Sequence, residues 1–205
     1  MSDAEVLLNL IRGRRSVRQF TDEPVDSNVL SRLVEAASWA PSAGNQQDWR
    51  FDVVTSPATK QAMADAVRRR WAEVISANRD CGFIQEVEQY AAGFAEFAKA
   101  PVVIVVSARA IDSVQEHLLG KAALATAGSF ASAAMAAQNL MLAAHALGLG
   151  SCCMTGPLAA HDELRSLLNL GRKHQIVCLL ALGHPAEAPP GPPRKPVEKI
   201  ARWLE

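Results

Sequence analysis

Two unbroken apolar runs enclose one long alanine-rich stretch, and this arrangement strongly limits the folds open to the chain. Residues 101–106 and 176–182 are each long enough for a strand, and their continuous apolar character is typical of strands buried on both faces. Between them, residues 126–147 predict a helix ended by Gly148. Its alanines and Gly128 permit close approach of another element, so we expect a central helix packed on a sheet or a partner subunit.

Weaker signals predict the elements of the N-terminal third. Residues 3–12 have the spacing of a short helix. A second, amphipathic helix is expected to start at Asp26 or Ser27, either of which can act as the N-cap, and to stop before Pro41. Residues 49–55 then predict a strand.

The middle of the chain is less regular. Pro57 is a helix-opening residue, and a helix is expected from there to about Asn78. The segment that follows predicts a helical excursion over the core, with Cys81, Phe83 and Ile84 facing inward.

The C-terminal end is rich in proline. Residues 186–196 cannot form regular structure and predict an extended arm, followed by a short helix at residues 197–204. No internal repeat and no second composition regime interrupts the chain, so we expect a single domain over residues 1–205.

Composition excludes several classes of function. The chain has 21 basic and 21 acidic residues, so its formal net charge is zero, which argues against nonspecific binding to nucleic acid or anionic membrane. The start of the chain lacks the pattern of a signal peptide. Residues 130–149 approach membrane length, but their polar side chains favour a buried helix.

Cysteine and histidine spacing gives no sign of a metal site. The four cysteines include no C-x-x-C pair, which favours a reduced, cytoplasmic chain without structural zinc. The histidines are also not spaced as metal ligands; they are His117, His145, His161, His174 and His184.

A basic cluster follows the first predicted helix. Arg14, Arg15 and Arg18 lie within five residues, with Ser16 among them. Guanidinium groups pair bidentately with phosphate oxygens and a serine hydroxyl adds a donor, so the cluster is a candidate phosphate site. A solvated charged turn is the alternative reading. The same two readings apply to the basic pair 194–195 in the arm.

Two loops are further candidates. Ser42, Asn45 and Gln47 alternate along the loop 41–47, where extended backbone would point them the same way, toward the edge of a heterocycle. Residues 147–157 are rich in small residues that let backbone N–H groups approach a flat ligand. A plain connection between a helix and a strand explains the loop 41–47 equally well, and a helix C-cap leading into a strand is the preferred reading of residues 147–157 taken alone.

The motifs of common enzyme classes are absent. The sequence has no G-x-G-x-x-G after a strand, no Walker loop and no G-x-S-x-G elbow. Anion and amide sites without a nucleophile or a base indicate that a cofactor supplies the chemistry.

Taken in order, these segments resemble the FMN-dependent nitroreductase family. Residues 14–20 match its basic R-R/H-S-x-R/K-x-F segment, and residues 40–49 match its A-P-S-x-x-N-x-Q-P-W loop. Residues 138–144 match a Q-N-L-x-L-A-A helix, residues 148–156 a G-L-G-x-x-x-x-x-G turn, and residues 194–198 a terminal R-K-P-x-E segment. The resemblance extends over nearly the whole chain.

The resemblance implies an α+β, three-layer fold with a central mixed sheet between helices. It implies a homodimer with FMN at the interface and a C-terminal arm exchanged between subunits. It also implies NADH or NADPH as donor, a small-molecule acceptor, and no catalytic side chain, since the flavin carries the chemistry. The cofactor contacts that it implies are Arg14, Arg15, Ser16, Arg18, Pro41, Ser42, Ala43, Asn45, Gln47, Cys153, Met154, Thr155, Gly156, Arg194 and Lys195.

Each group of residues takes a distinct role under this resemblance. Arg14 and Ser16, with the basic pair 194–195, would hold the FMN phosphate, and Arg18 would lie at the pyrimidine edge. The loop 41–47 would come from the other subunit, and residues 153–156 would lie along the ring with a backbone N–H near flavin N5.

The chain departs from the family at three of these positions. Asp48 replaces a common proline, Ala43 a common serine, and Thr155 the glutamate of the enteric-type enzymes, so their substrate contacts do not transfer. Residues 79–99 do not match the family's flavin contacts, and an open or small lid is expected there. Flavin-cleaving benzimidazole synthases, reductive dehalogenases and a non-catalytic FMN-binding protein remain alternatives.

Overall fold

The computed structural model describes residues 2–109 and 122–204, with residues 122–127 as helix backbone alone. His117 lies outside them. The α-helices of the described residues are α1 (Asp3–Gly13), α2 (Ser27–Ser38), α3 (Pro57–Ala77), α4 (Ile84–Ala92), α5 (Ala122–Ala146) and α6 (His161–Leu167). The strands are β1 (Trp49–Val54), β2 (Val102–Arg109), β3 (Gly150–Met154) and β4 (His174–Gly183).

The four strands form one sheet in the order β1–β2–β4–β3, and every ladder in it is antiparallel. The two apolar runs of the sequence are its central pair, β2 and β4, and every residue of β2 except Arg109 is buried. A parallel bridge between Ser16 and Ser151 adds the N-terminal segment beside β3. The expected α+β class with a central sheet is confirmed.

Helices cover both faces of this sheet, because side chains of a strand alternate between the two faces. Val102, Ile104 and Val106 pack with α2 and α5 on one face. Val103 and Val105 point to the other face, where α3, α6 and the 3₁₀ segment Gly93–Lys99 cover them. The three-layer arrangement is therefore confirmed.

Local capping explains where several helices begin and end. Ser2 and Glu5 form a capping box at the start of α1, and Asp26 accepts a hydrogen bond from the Asn28 N–H at the start of α2. Gly148 follows α5 with φ of 76°, a conformation that favours glycine. Within the described part of the chain, no helix is long and apolar enough to cross a membrane.

Two expectations about the periphery are wrong. Phe83 was expected to face inward, but its side chain is 61% exposed; it precedes α4, a helix that has no buried residue. The predicted helix at residues 197–204 reduces to one 3₁₀ turn, Val197–Lys199. So short a helix is not stable without tertiary contacts, and its apolar side chains are mostly exposed.

Candidate functional site

The basic cluster is held beside β3 as a short extended segment. The Val17 N–H donates to the Ser151 carbonyl at 3.0 Å. Position 150 of β3 requires glycine, because a Cβ there would lie 2.8 Å from the Val17 side chain. Val17 is buried there, whereas Arg14 and Ser16 are half-buried and Arg18 is exposed.

The beginning of the arm secures the other edge of this segment. The Glu187 carboxylate accepts from the backbone N–H groups of Arg18 at 2.6 Å and Gln19 at 3.1 Å. The Ala186 N–H donates to the Gln19 carbonyl at 2.9 Å. The cluster is therefore fixed by residues almost 170 positions away in the chain.

The arginines of the cluster differ in what they bind. The Arg15 guanidinium donates to the carbonyls of Arg12 at 2.6 Å and Arg14 at 2.9 Å, so it stabilises the end of α1. Within residues 2–109 and 122–204, no protein group hydrogen-bonds the Arg14 guanidinium. Arg14 is half-buried and remains available to a ligand.

A cavity of about 430 Å³ opens next to the cluster. Arg14 and Arg15 line it together with His145 at the end of α5, the turn 148–151 and arm residues between Pro185 and Gly191. Arg194 and Lys195 are exposed further along the arm, and neither lines any of the cavities characterised in the described part of the chain.

The end of β3 belongs to the same region as the cluster. The positive charge of Arg14 acts on both Cys152 and Cys153. A hydrogen bond with Cys178, and secondarily Arg14, lowers the pKa of Cys153 to about 7. Burial raises the pKa of Cys152, which faces the other side of the sheet.

An aromatic group supports the turn that follows β3. The Trp71 indole N–H donates to the Gly156 carbonyl at 3.0 Å. The Phe94 ring packs on Trp71 with centroids 5.1 Å apart and on Tyr90 with centroids 4.6 Å apart. Sequence reasoning missed these aromatic residues, because no local pattern links positions 71, 90 and 94 to position 156. Met154 and Gly156 are half-buried, whereas Cys153 and Thr155 are exposed.

The loop 41–47 is a tight turn rather than the extended stretch that was expected. Ala43–Asn45 form a 3₁₀ turn, and Gly44, Asn45 and Gln47 have φ of 59°, 52° and 51°. The Ser42 hydroxyl accepts from the Gln47 N–H at 3.1 Å, which closes the turn. The loop is exposed. Left-handed backbone at non-glycine residues is costly and is concentrated at functional sites, so its conformation supports a functional role.

This loop lies far from the basic cluster within one chain. The Ala43 N–H donates to the Ser132 hydroxyl at 3.3 Å, near the N-terminal half of α5. The cluster lies at the opposite end of that helix, around His145. At 1.5 Å per residue, the helix separates Ser132 from His145 by about 20 Å. The basic cluster and the turn 148–151 are therefore adjacent, whereas the loop 41–47 is not near them.

These observations agree with a family comparison. The model of the "Nitroreductase family" matches residues 11–184, which include the basic cluster, the loop and the turn after β3. The chain belongs to the nitroreductase family. The expected family is therefore confirmed, and the homologues support an oxidoreductase.

Two curated relatives illustrate the range of this family. The chain is 30% identical to a protein named NADH dehydrogenase from Thermus thermophilus, over 93% of this chain and 92% of the relative. It is 32% identical to a 5,6-dimethylbenzimidazole synthase from Rhodobacter capsulatus, over 88% of this chain and 84% of the relative.

Two solved structures share the fold over nearly their full length. A BluB-like flavoprotein from Clostridium difficile 630 superposes with a TM-score of 0.85 at 25% identity, over 97% of this chain and 99% of that one. An FMN- and NADPH-dependent nitroreductase from Sphigopyxis sp. strain HMH gives a TM-score of 0.75 at 27% identity, with the same coverage.

Among the residues that the structure describes, no three His, Cys, Asp or Glu side chains are grouped as a metal site.

Proposed function

We propose that this protein is an FMN-dependent NAD(P)H oxidoreductase that reduces a nitroaromatic, quinone or similar small acceptor by two electrons in a ping-pong cycle. The observation that carries the proposal is the half-buried Arg14 guanidinium, which no group of the described residues hydrogen-bonds and which lines the cavity beside the start of β3. A phosphate-bearing cofactor suits it, because guanidinium pairs bidentately with phosphate. The solved relative that is FMN- and NADPH-dependent supports the same cofactor and donor.

The types of residue at the candidate site are suited to FMN. Arg14 and Ser16 would bind the phosphate, and Arg18 would place positive charge near the pyrimidine edge. The backbone of residues 153–156 would lie along the ring, where Trp71 fixes the Gly156 peptide. Bound FMN would supply the two-electron redox chemistry between the nicotinamide and the acceptor.

The protein itself would bind and orient, with no side chain acting as acid or base. The rigid supports on both sides of the cluster, Glu187 and the β3 bridge, keep its donors in place without rearrangement. Protons would come from solvent, because Thr155 of the turn is exposed.

The site would be completed by a second copy of the chain. The loop 41–47 contacts α5 at Ser132, whereas the cluster lies near His145, about 20 Å further along that helix, so one ligand would contact both if the loop came from a partner. Apolar side chains also remain uncovered on one chain, as a homodimer interface requires. They lie on α1 and on the arm: Val6, Leu7, Leu8, Ile11, Val197, Ile200, Trp203 and Leu204. The basic pair 194–195 and the loop residues Pro41, Ser42, Ala43, Asn45 and Gln47 would reach FMN in that dimer.

An anaerobic assay tests the function. The purified protein with bound flavin is mixed with NADH or NADPH, and the flavin absorbance should bleach and then return when a nitroaromatic or quinone is added. Flavin that is retained but never bleaches would indicate a binding protein without turnover. Bleaching without reoxidation by either acceptor would refute the reductase.

A specialised flavin reaction is the second candidate, because the chain is 32% identical to a 5,6-dimethylbenzimidazole synthase and its fold matches a BluB-like flavoprotein with a TM-score of 0.85. Exposing the reduced protein to air separates the two candidates. A reductase recovers its full flavin absorbance, whereas a flavin-cleaving enzyme loses it permanently. A reductive dehalogenase would instead be recognised by halide release from a halogenated aromatic acceptor.

Removing the arm should weaken the dimer. A chain that ends before Pro189 lacks Val197, Ile200 and Trp203, and Trp203 is 81% exposed on a single chain. We expect sedimentation to show dissociation at concentrations where the full chain is dimeric. Lys199→Ala, which leaves the arm and its apolar side chains in place, is the matched control. A truncated chain that stays as dimeric as the control would show that the arm does not cross to the partner.

A further inference from the structure

His145, in the last turn of α5, lines the cavity of about 430 Å³ beside the basic cluster. Arg14 and Arg15 line the same cavity. The His145 ring is half-buried and rests against the end of α1, because a Cβ on Gly13 would lie 2.9 Å from its Nε2. Since Gly13 precedes Arg14 in the chain, this packing places the imidazole beside the backbone that carries Arg14.

The His145 ring has no hydrogen-bond partner within residues 2–109 and 122–204. His161, which is also half-buried, differs in this respect, because its Nε2 accepts from the Ile176 N–H at 3.3 Å. Polar side-chain atoms away from solvent normally have a partner, and each imidazole nitrogen can donate or accept one hydrogen bond. The ring of His145 is therefore available to a ligand in the cavity.

The charges around the cavity determine which form of the ring a ligand would favour. Three ionised side chains line the cavity with His145: Arg14, Arg15 and Glu187. The Glu187 carboxylate accepts from two backbone N–H groups at the end of the cluster. Before a ligand binds, the two guanidinium groups disfavour a third positive charge, whereas a phosphate dianion between them and the ring favours it. The C-terminal turn of α5 also favours a cation.

We infer that His145 is a proton-linked ligand of the cofactor phosphate, to which its protonated imidazole donates a hydrogen bond beside Arg14. The inference rests on the proposed function, because it takes the FMN phosphate as the occupant of this cavity. Histidines titrate between about pH 5 and 8, and a phosphate monoester is largely a dianion above about pH 6. FMN binding should therefore take up a proton, and the affinity should fall as the pH rises above about 6.5.

A comparison of FMN with riboflavin, which lacks the phosphate, tests the contact on purified, flavin-free protein at about pH 6.5. His145→Ala should weaken FMN binding roughly tenfold, because it removes a hydrogen bond to a charged group. The same variant should leave the Kd of riboflavin unchanged. His174→Ala is the matched control, since His174 is also half-buried but does not line this cavity, and it should leave both Kd values unchanged.

Proton uptake is a second readout, which a merely structural histidine would not change. Cys178 and Arg14 lower the pKa of Cys153 to about 7, so Cys153 titrates in the same pH window and a Cys153→Ser background is used. Calorimetry in two buffers with different ionisation enthalpies should show proton uptake when FMN binds to the background chain. Adding His145→Gln should abolish it, because glutamine keeps an N–H donor but takes up no proton. The Kd of this variant should also vary less with pH.

Three results would overturn the inference. They are an unchanged FMN affinity in His145→Ala, an equal loss of FMN and riboflavin affinity in that variant, and proton uptake that persists in His145→Gln. If Arg14→Ala weakens FMN binding and His145→Ala does not, the proposed cofactor site stands without this inference. If the unmodified chain does not bind FMN, the proposed function and the inference are both wrong.

Discussion

Arg14→Ala is expected to weaken FMN binding by about 2 kcal/mol, or roughly thirtyfold in Kd, because it removes a charge-assisted phosphate contact. The arginine makes no hydrogen bond to the described protein that would be lost with it, so the folded chain should tolerate the change. The measurement is a titration of flavin-free protein with FMN, followed by flavin fluorescence. Arg14→Lys should lose part of the affinity, since lysine keeps the charge but not the planar fork.

Two other arginines are controls for this result. Arg70 pairs with Glu73 on the surface of α3, away from the cluster, and Arg70→Ala should leave Kd unchanged. Arg15→Ala should lower stability more than affinity, because the Arg15 guanidinium binds the carbonyls of Arg12 and Arg14. If Arg14→Ala bound FMN as tightly as the unmodified chain, Arg14 would not be a phosphate-binding residue.

Gly156→Ala is expected to lower the free energy of unfolding by about 1–3 kcal/mol, the usual cost of overpacking. A Cβ at position 156 would lie 2.2 Å from the Phe94 ring, so either the ring or the turn must move. The Phe94 ring has little freedom to do so, because it also contacts Trp71 and Tyr90. Urea denaturation followed by tryptophan fluorescence measures the loss.

Gly93→Ala is the matched control for this substitution. Gly93 adjoins Phe94, but nothing lies within 4 Å of a Cβ placed there, so its midpoint should stay close to that of the unmodified chain. Adding Phe94→Leu to Gly156→Ala should recover part of the lost stability, since it removes the ring that the new methyl meets. If Gly156→Ala unfolds at the same urea concentration as Gly93→Ala, the turn yields more easily than this packing indicates.

The central strands could be predicted because a strand that is buried on both faces consists of consecutive apolar residues. The apolar runs at residues 101–106 and 176–182 correspond to β2 and β4, and Gly148 ends α5 where expected. The peripheral segments were harder to predict, because local propensity does not show whether a segment packs against the rest of the protein. Phe83 and the terminal segment 197–204 were misjudged for that reason.

Sequence by itself determined the family, because the motifs at positions 14–20, 40–49 and 148–156 keep their order and spacing, and the same motifs predict the residues of the candidate site. Only the tertiary structure decided which groups are free to act and which meet. It separates Arg14 from Arg15, because the Arg15 guanidinium donates to backbone carbonyls whereas no described protein group hydrogen-bonds the Arg14 guanidinium. It also places the loop 41–47 at the far end of α5. Such contacts join residues distant in the chain, and spacing along a sequence does not encode distance in a fold.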